Sequence, residues 1–92
     1  MQEQILVRVT GRVQLVMYRD FATRKARGLR LVGEVQNLPD KSVRVVAEGP
    51  RDALEKYVKK LRKGPLLARV DDVTVRWGEA TNNYKNFSIQ YD

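Results

Sequence analysis

Apolar residues alternate with polar ones along the first stretch of the chain, with Ile5, Val7 and Val9 on one side and Leu6, Arg8 and Thr10 on the other. That period of two predicts a strand with one consistently apolar face, broken at Gly11. From about Tyr18 the period lengthens. Tyr18, Phe21, Ala22, Ala26 and Leu29 fall along one stripe of a helix, Arg24, Lys25 and Arg27 lie elsewhere, and Gly28 supplies a C-terminal stop. Residues 31–36 predict a second strand, Pro39-Asp40-Lys41-Ser42 a turn, and residues 43–48 a third strand, so that the two strands form a hairpin. Gly49-Pro50 then opens a second helix, with proline suited to the first helical position and Asp52 and Glu55 to the positive first turn. Ala53, Leu54, Tyr57, Val58 and Leu61 make its buried stripe, while Lys56, Lys59, Lys60, Arg62 and Lys63 load the other face and the negative end. Gly64-Pro65 ends it. Val70, or more regularly Val73, Val75 and Trp77, marks a fourth strand, and Phe87, Ile89 and Tyr91 mark a fifth after the Thr81-Asn82-Asn83 loop.

The predicted order is βαββαβ with a terminal strand. Two split βαβ units of this kind make an α+β fold, a ferredoxin-like sandwich in which two helices cover one face of an antiparallel sheet, with an extra C-terminal strand. A right-handed crossover makes the first and second strands parallel, with the third inserted between them. Their C-terminal ends therefore share one sheet edge, where the loop after Gly11 and the residue Asn37 should meet.

Composition narrows the chemistry. Ninety-two residues make one small domain, and the sequence contains no cysteine and no histidine. Thiolate and imidazole metal sites, cysteine nucleophiles and Ser-His-Asp triads are thereby excluded, and no cofactor is expected. There is no apolar run long enough to span a membrane and no signal-peptide layout, so a cytoplasmic protein without membrane contact is expected. The net charge of +7 favours anionic partners, but charge alone does not choose among phosphorylated small molecules, nucleic acid and lipid. Charged residues are 32% of the chain and Arg outnumbers Lys, a balance compatible with a thermophilic source.

The stretch 11–19 reads Gly11-Arg12-Val13-Gln14-Leu15-Val16-Met17-Tyr18-Arg19 and joins the first strand to the first turn of a basic helix. Backbone N–H groups at a helix N-terminus carry partial positive charge, and Arg19 adds a planar fork of donors that suits phosphate. Taken alone, Arg19 also fits a solvated helix arginine, and Asn37 a turn-starting asparagine ahead of Leu38-Pro39-Asp40.

The same residues resemble the signature of the acylphosphatase family, GRVQGVxFR or GRVQGVxYR. Downstream, Gly33-Glu34-Val35-Gln36-Asn37-Leu38-Pro39-Asp40-Lys41-Ser42-Val43 is similar to the family segment G-[WYF]-V-x-N-x-x-D-G-x-V, followed by Glu48-Gly49 and Gly64-Pro65. The resemblance covers nearly the whole chain. It implies hydrolysis of acyl phosphates to a carboxylate and inorganic phosphate, without metal. Arg19 would hold the phosphoryl group, helped by the loop formed by Gly11, Arg12, Val13, Gln14, Leu15, Val16, Met17 and Tyr18, and Asn37 would orient the attacking water. Such a site suffices for acyl phosphates because their carboxylate is a good leaving group.

Four positions depart from the pattern. Leu15 stands where the family has glycine, Met17 occupies a second small position, Lys41 replaces a hairpin glycine and Glu34 replaces an aromatic. If position 15 needs φ > 0, leucine there is strained, or the loop relaxes and its N–H groups lose their aim. Turnover slower than in members with both loop glycines is therefore expected, the alternative being an impaired anion- or nucleic-acid-binding domain. Base-stacking RNA recognition is disfavoured, since the first and third strands carry no aromatic residue, and no specific nucleic-acid partner is expected. Acylphosphatase-like domains also occur within larger hydrogenase-maturation proteins, but the short chain favours a free-standing, monomeric protein.

Overall fold

The computed structural model describes residues 2–91. The chain forms β1 (Gln2–Arg12), α1 (Tyr18–Gly28), β2 (Val32–Asn37), β3 (Val43–Pro50), α2 (Arg51–Lys63), β4 (Arg69–Glu79) and β5 (Phe87–Gln90). Their order in the sheet is β4-β1-β3-β2-β5. Because β3 is antiparallel to both β1 and β2, those two strands run parallel on either side of it, as the crossover rule requires.

The fifth strand changes one expectation. β5 pairs parallel with β2, so the sheet is mixed rather than wholly antiparallel. The reason is directional: β4 runs against β1, a chain that reverses after β4 runs with β1 and β2, and the edge it occupies is the one beside β2.

Boundaries differ where a partner strand or a cap overrides a local signal. Gly11 does not break β1 but lies inside it, with φ 124, at a shift in the β1–β4 register between Thr10 and Gly11. A Cβ there would fall 2.2 Å from the Arg69 carbonyl oxygen, so only glycine lets the two backbones approach at this bulge. Gly28 is the last residue of α1, not its stop. Arg30, at φ 58, takes the left-handed position instead. The Leu31 N–H reaches the Ala26 carbonyl at 2.9 Å and the Arg30 N–H the Arg27 carbonyl at 3.0 Å, which closes the helix as a Schellman motif. Pro50 caps α2 with φ −63 and ψ 146 rather than occupying its first turn, since an extended ψ lets it also finish β3. Tyr91 lies just beyond β5.

The core is one layer between the sheet and the helices. Ile5, Val7 and Val9 of β1, Val35 of β2, Val43, Val45 and Ala47 of β3 and Phe87 of β5 meet Tyr18, Ala22 and Ala26 of α1 and Leu54, Tyr57 and Leu61 of α2. α1 packs on β2 and β5, and α2 on β1, β3 and β4. Two buried tyrosines stitch the helices in opposite directions: the Tyr18 hydroxyl donates to the Leu61 carbonyl at 2.6 Å, and the Tyr57 hydroxyl to the Ala22 carbonyl at 2.8 Å. Burial pushes both phenols up from their ordinary pKa, so they stay neutral donors.

Glu48, the one acidic residue buried among the described residues, anchors the crossing from β4 to β5. Its carboxylate accepts from Gln4 Nε2 at 2.8 Å, the Thr81 N–H at 2.9 Å, Thr81 Oγ1 at 2.8 Å and the Asn82 N–H at 3.1 Å. Burial raises its pKa, but the Thr81 backbone and the other donors outweigh that and hold the carboxyl below its ordinary value. A depressed folded pKa contributes stability that is complete above the unfolded value, about 4.3, and is lost as pH falls through the folded one. Glu48→Gln is therefore expected to melt below the wild type at pH 7, by a margin that shrinks toward pH 3. Thermal melts across that range check it, and a margin independent of pH would show that the carboxylate's charge is not what holds the loop.

Candidate active site

The loop that joins β1 to α1 occupies residues 13–17, so Gly11 and Arg12 belong to the strand and not to the loop. Within it, Val13 and Val16 are buried while Leu15 is fully exposed and Met17 is 69% exposed. The two valines fasten the loop to the core, while Leu15 between them and Met17 after them face outward. Leu15 and Met17 have φ 62 and φ 63, the left-handed region that glycine enters freely. Of the two outcomes open to a loop with leucine at position 15, this backbone takes the strained one, at roughly 1 to 2 kcal/mol for each residue.

The loop is also tied sideways. Gln14 Nε2 donates to the carbonyls of Leu38 and Ser42, both at 2.9 Å, which fixes the loop against the β2–β3 turn. Lys41, at φ 74, takes the left-handed position of that turn. Among the described residues no protein acceptor takes the backbone N–H of Gln14, Leu15, Val16 or Met17, and the first helical bond of α1 is Phe21 N–H to the Met17 carbonyl at 3.0 Å. The N–H groups of Tyr18, Arg19 and Asp20 thus lie in the unpaired first turn. A run of successive donors at a helix N-terminus is the ordinary setting for an anion.

Arg19 is the second residue of α1, directly after Tyr18, whose hydroxyl bond to Leu61 fixes the start of the helix. Its guanidinium lies over the ring of Tyr91, 4.9 Å from the centroid, and pairs with no carboxylate among the described residues. Asn37 closes β2, and its Oδ1 is buried with no hydrogen-bond partner among the described residues. Buried polar atoms are almost always paired, which sets this orphan apart from the rest of the interior.

Arg19 and Asn37 line one cleft of about 420 Å³ together with Val13, Leu15, Met17 and Tyr18. The structure thus brings both proposed catalytic residues to the shared end of β1 and β2. It leaves Gly11, Arg12 and Gln14 around a neighbouring depression with Lys41 and Arg69, and it turns Val16 into the core. Three lining residues escape a reading of the sequence: Asp20, Ile89 and Tyr91. Asp20 is bound by Arg24 at 3.2 Å, one turn on, a pair that its i, i+4 spacing announces without indicating a cleft. Ile89 and Tyr91 are legible as strand positions, but they reach the site only because β5 pairs with β2. Among the described residues no cluster of His, Cys, Asp or Glu is placed to hold a metal ion, and no helix is long and apolar enough to cross a membrane.

Fold and site together define a class: small α+β sandwiches whose first β–α loop carries unpaired backbone donors beside an arginine. This chain belongs to the acylphosphatase family, whose model matches residues 5–89. It is 43% identical over 89 residues to the acylphosphatase of Salinibacter ruber, covering 97% of this chain and 94% of that one. It is 54% identical over 76 residues to the acylphosphatase of Thermus thermophilus, covering 83% and 86%. The crystal structure of an acylphosphatase from Bacillus subtilis has 35% sequence identity and a TM-score of 0.94, covering 97% of this chain and 99% of that one.

Proposed function

We propose that this chain hydrolyses acyl phosphates at the α1 cleft, with Arg19 as the clamp on the phosphoryl group and Asn37 as the residue that orients water. One observation supports the assignment of roles: an arginine whose guanidinium has no carboxylate partner among the described residues, and an asparagine whose buried amide oxygen has no donor among them, line the same cleft. The guanidinium and the N–H groups of residues 14–20 take the phosphoryl oxygens, where their charge opposes what builds up in the transition state. Asn37 Oδ1 accepts a hydrogen bond from water, aiming its oxygen at phosphorus; an amide suits this because it does not titrate. The water oxygen forms a bond to phosphorus as the bond from phosphorus to the acyl oxygen breaks. The carboxylate departs, and the water proton goes to phosphate or solvent. Nothing in this scheme calls on a metal ion or a covalent enzyme intermediate. Turnover of acetyl and benzoyl phosphate by the purified protein, with Arg19→Ala as control, tests it; hydrolysis that survives in the variant would place the chemistry elsewhere. A monomer acting in the cytoplasm belongs to the same proposal.

Slower turnover than in relatives with both loop glycines is part of this reading. Met17 is held by its carbonyl's bond to the Phe21 N–H and so keeps its backbone whatever its side chain, whereas Leu15 has no such tie among the described residues. Leu15→Gly is therefore expected to raise kcat/KM for acetyl phosphate by less than about tenfold, since the left-handed geometry is already in place, and by more than Met17→Gly does. Steady-state kinetics on both variants decides this. A larger gain at position 17 would show that the strain which matters lies at the helix cap.

A further inference from the structure

The walls of the cleft differ in kind from its floor. Leu15, Met17 and Tyr91 are 100%, 69% and 74% exposed, and with Ile89 they rim the space above Arg19 and Asn37. Leu15 gains no burial in the fold and Met17 little, and both hold a strained backbone, so stability does not account for them. An acyl phosphate has one strongly anionic end and one acyl end. With the phosphoryl group at the helix N-terminus, the acyl group has to lie across this rim. Among the described residues the cleft's lining offers a polar or anionic acyl group no cation besides Arg19, its other charge being Asp20, already bound by Arg24; Arg12 and Lys41 line the neighbouring depression that also borders Leu15.

Resting on the acyl phosphate reading above, we infer that the rim formed by Leu15, Met17, Ile89 and Tyr91 selects acyl phosphates whose acyl group is apolar, aliphatic chains of several carbons or aromatic rings, over small or charged ones. Leu15 and Met17 line the cleft from the β1–α1 loop, and Ile89 and Tyr91 from β5 and the residue after it. The apolar group removes part of both from water as it binds. That contact persists while the phosphoryl group reacts, so it raises kcat/KM by holding the substrate in place.

Hexanoyl and acetyl phosphate test this cleanly, because their carboxylate leaving groups are nearly equal in basicity and differ only in methylenes. Each methylene carried fully out of water is worth up to about fourfold, and an open cleft covers part of the chain, so the wild type is expected to favour hexanoyl phosphate by about tenfold in kcat/KM. In the double variant Leu15→Asn, Met17→Asn the ratio is expected to drop to about twofold or less, asparagine being a residue that tolerates the left-handed backbone. Tyr91→Ser, outside every helix and strand, is a second variant expected to lower the same ratio. A wild-type ratio near one with brisk acetyl phosphate turnover overturns the inference and leaves the hydrolase reading standing. So does a high ratio that neither variant changes. Wild-type protein that hydrolyses neither compound overturns the hydrolase reading itself.

Discussion

Arg19→Ala is expected to lower kcat/KM for acetyl phosphate by on the order of 10³-fold or more, the range seen when a fixed cation or donor is removed from a developing phosphoryl charge. The side chain is half-buried and makes no ion pair among the described residues, so its removal leaves the core untouched. Thermal stability should therefore stay close to that of the wild type. Arg19→Lys recovers only part of the rate, because an ammonium lacks the planar fork that meets two oxygens and stacks less well on Tyr91. Inhibition by inorganic phosphate should weaken in parallel. The control is Lys59→Ala on α2, where lysines are dense but no loop or helix terminus focuses them. Similar losses from Arg19→Ala and Lys59→Ala would reduce the site to diffuse positive charge.

Asn37→Ala should separate catalysis from stability. The side chain holds a buried oxygen without a partner among the described residues, and removing such an atom relieves an uncompensated desolvation cost of about 1 to 3 kcal/mol. The melting temperature is expected to hold or rise. Meanwhile kcat should fall by about 10² to 10³-fold, the loss expected when a water is no longer oriented, with phosphate inhibition almost unchanged. Asn37→Asp is expected to be worse on both counts, since a carboxylate beside the phosphoryl group repels it. A variant that loses stability and keeps its rate would recast Asn37 as a turn residue, the bland reading of its position before Leu38-Pro39.

Much of this architecture is legible in residue order. Alternation at Ile5, Val7 and Val9 and the helical stripe from Tyr18 to Leu29 locate β1 and α1, and one crossover rule then carries Asn37 to the end of the sheet where Arg19 begins. What escapes depends on partners distant in sequence. Gly11 reads as a strand breaker until β4 is seen beside it, with Val70 across from it and the Arg69 carbonyl where a Cβ would lie, when it becomes a bulge. Gly28 reads as a helix stop, yet Arg30 performs that role because Leu31 has to turn into the core. The two edges open to β5 cannot be told apart from its four residues, so Tyr91 could not be placed beside Arg19. Gln14 belongs to the loop by sequence, but its staple to Leu38 and Ser42 appears only once the β2–β3 turn is beside it.

The parallel pairing of β5 with β2 also sets a timetable for the nascent chain. Fifty residues separate Asn37 from Phe87, an interval of roughly 3 to 10 s at ordinary rates of synthesis. Throughout it the outer edge of β2 has no neighbour, and its N–H and C=O groups face any extended chain nearby. The polar floor of the cleft is made early and its β5 lining last, so a ribosome-bound chain holds the arginine and asparagine well before it holds Tyr91. Pausing of translation between these points would prolong the period in which β2, an inner strand of the finished sheet, offers an open edge for pairing with another copy.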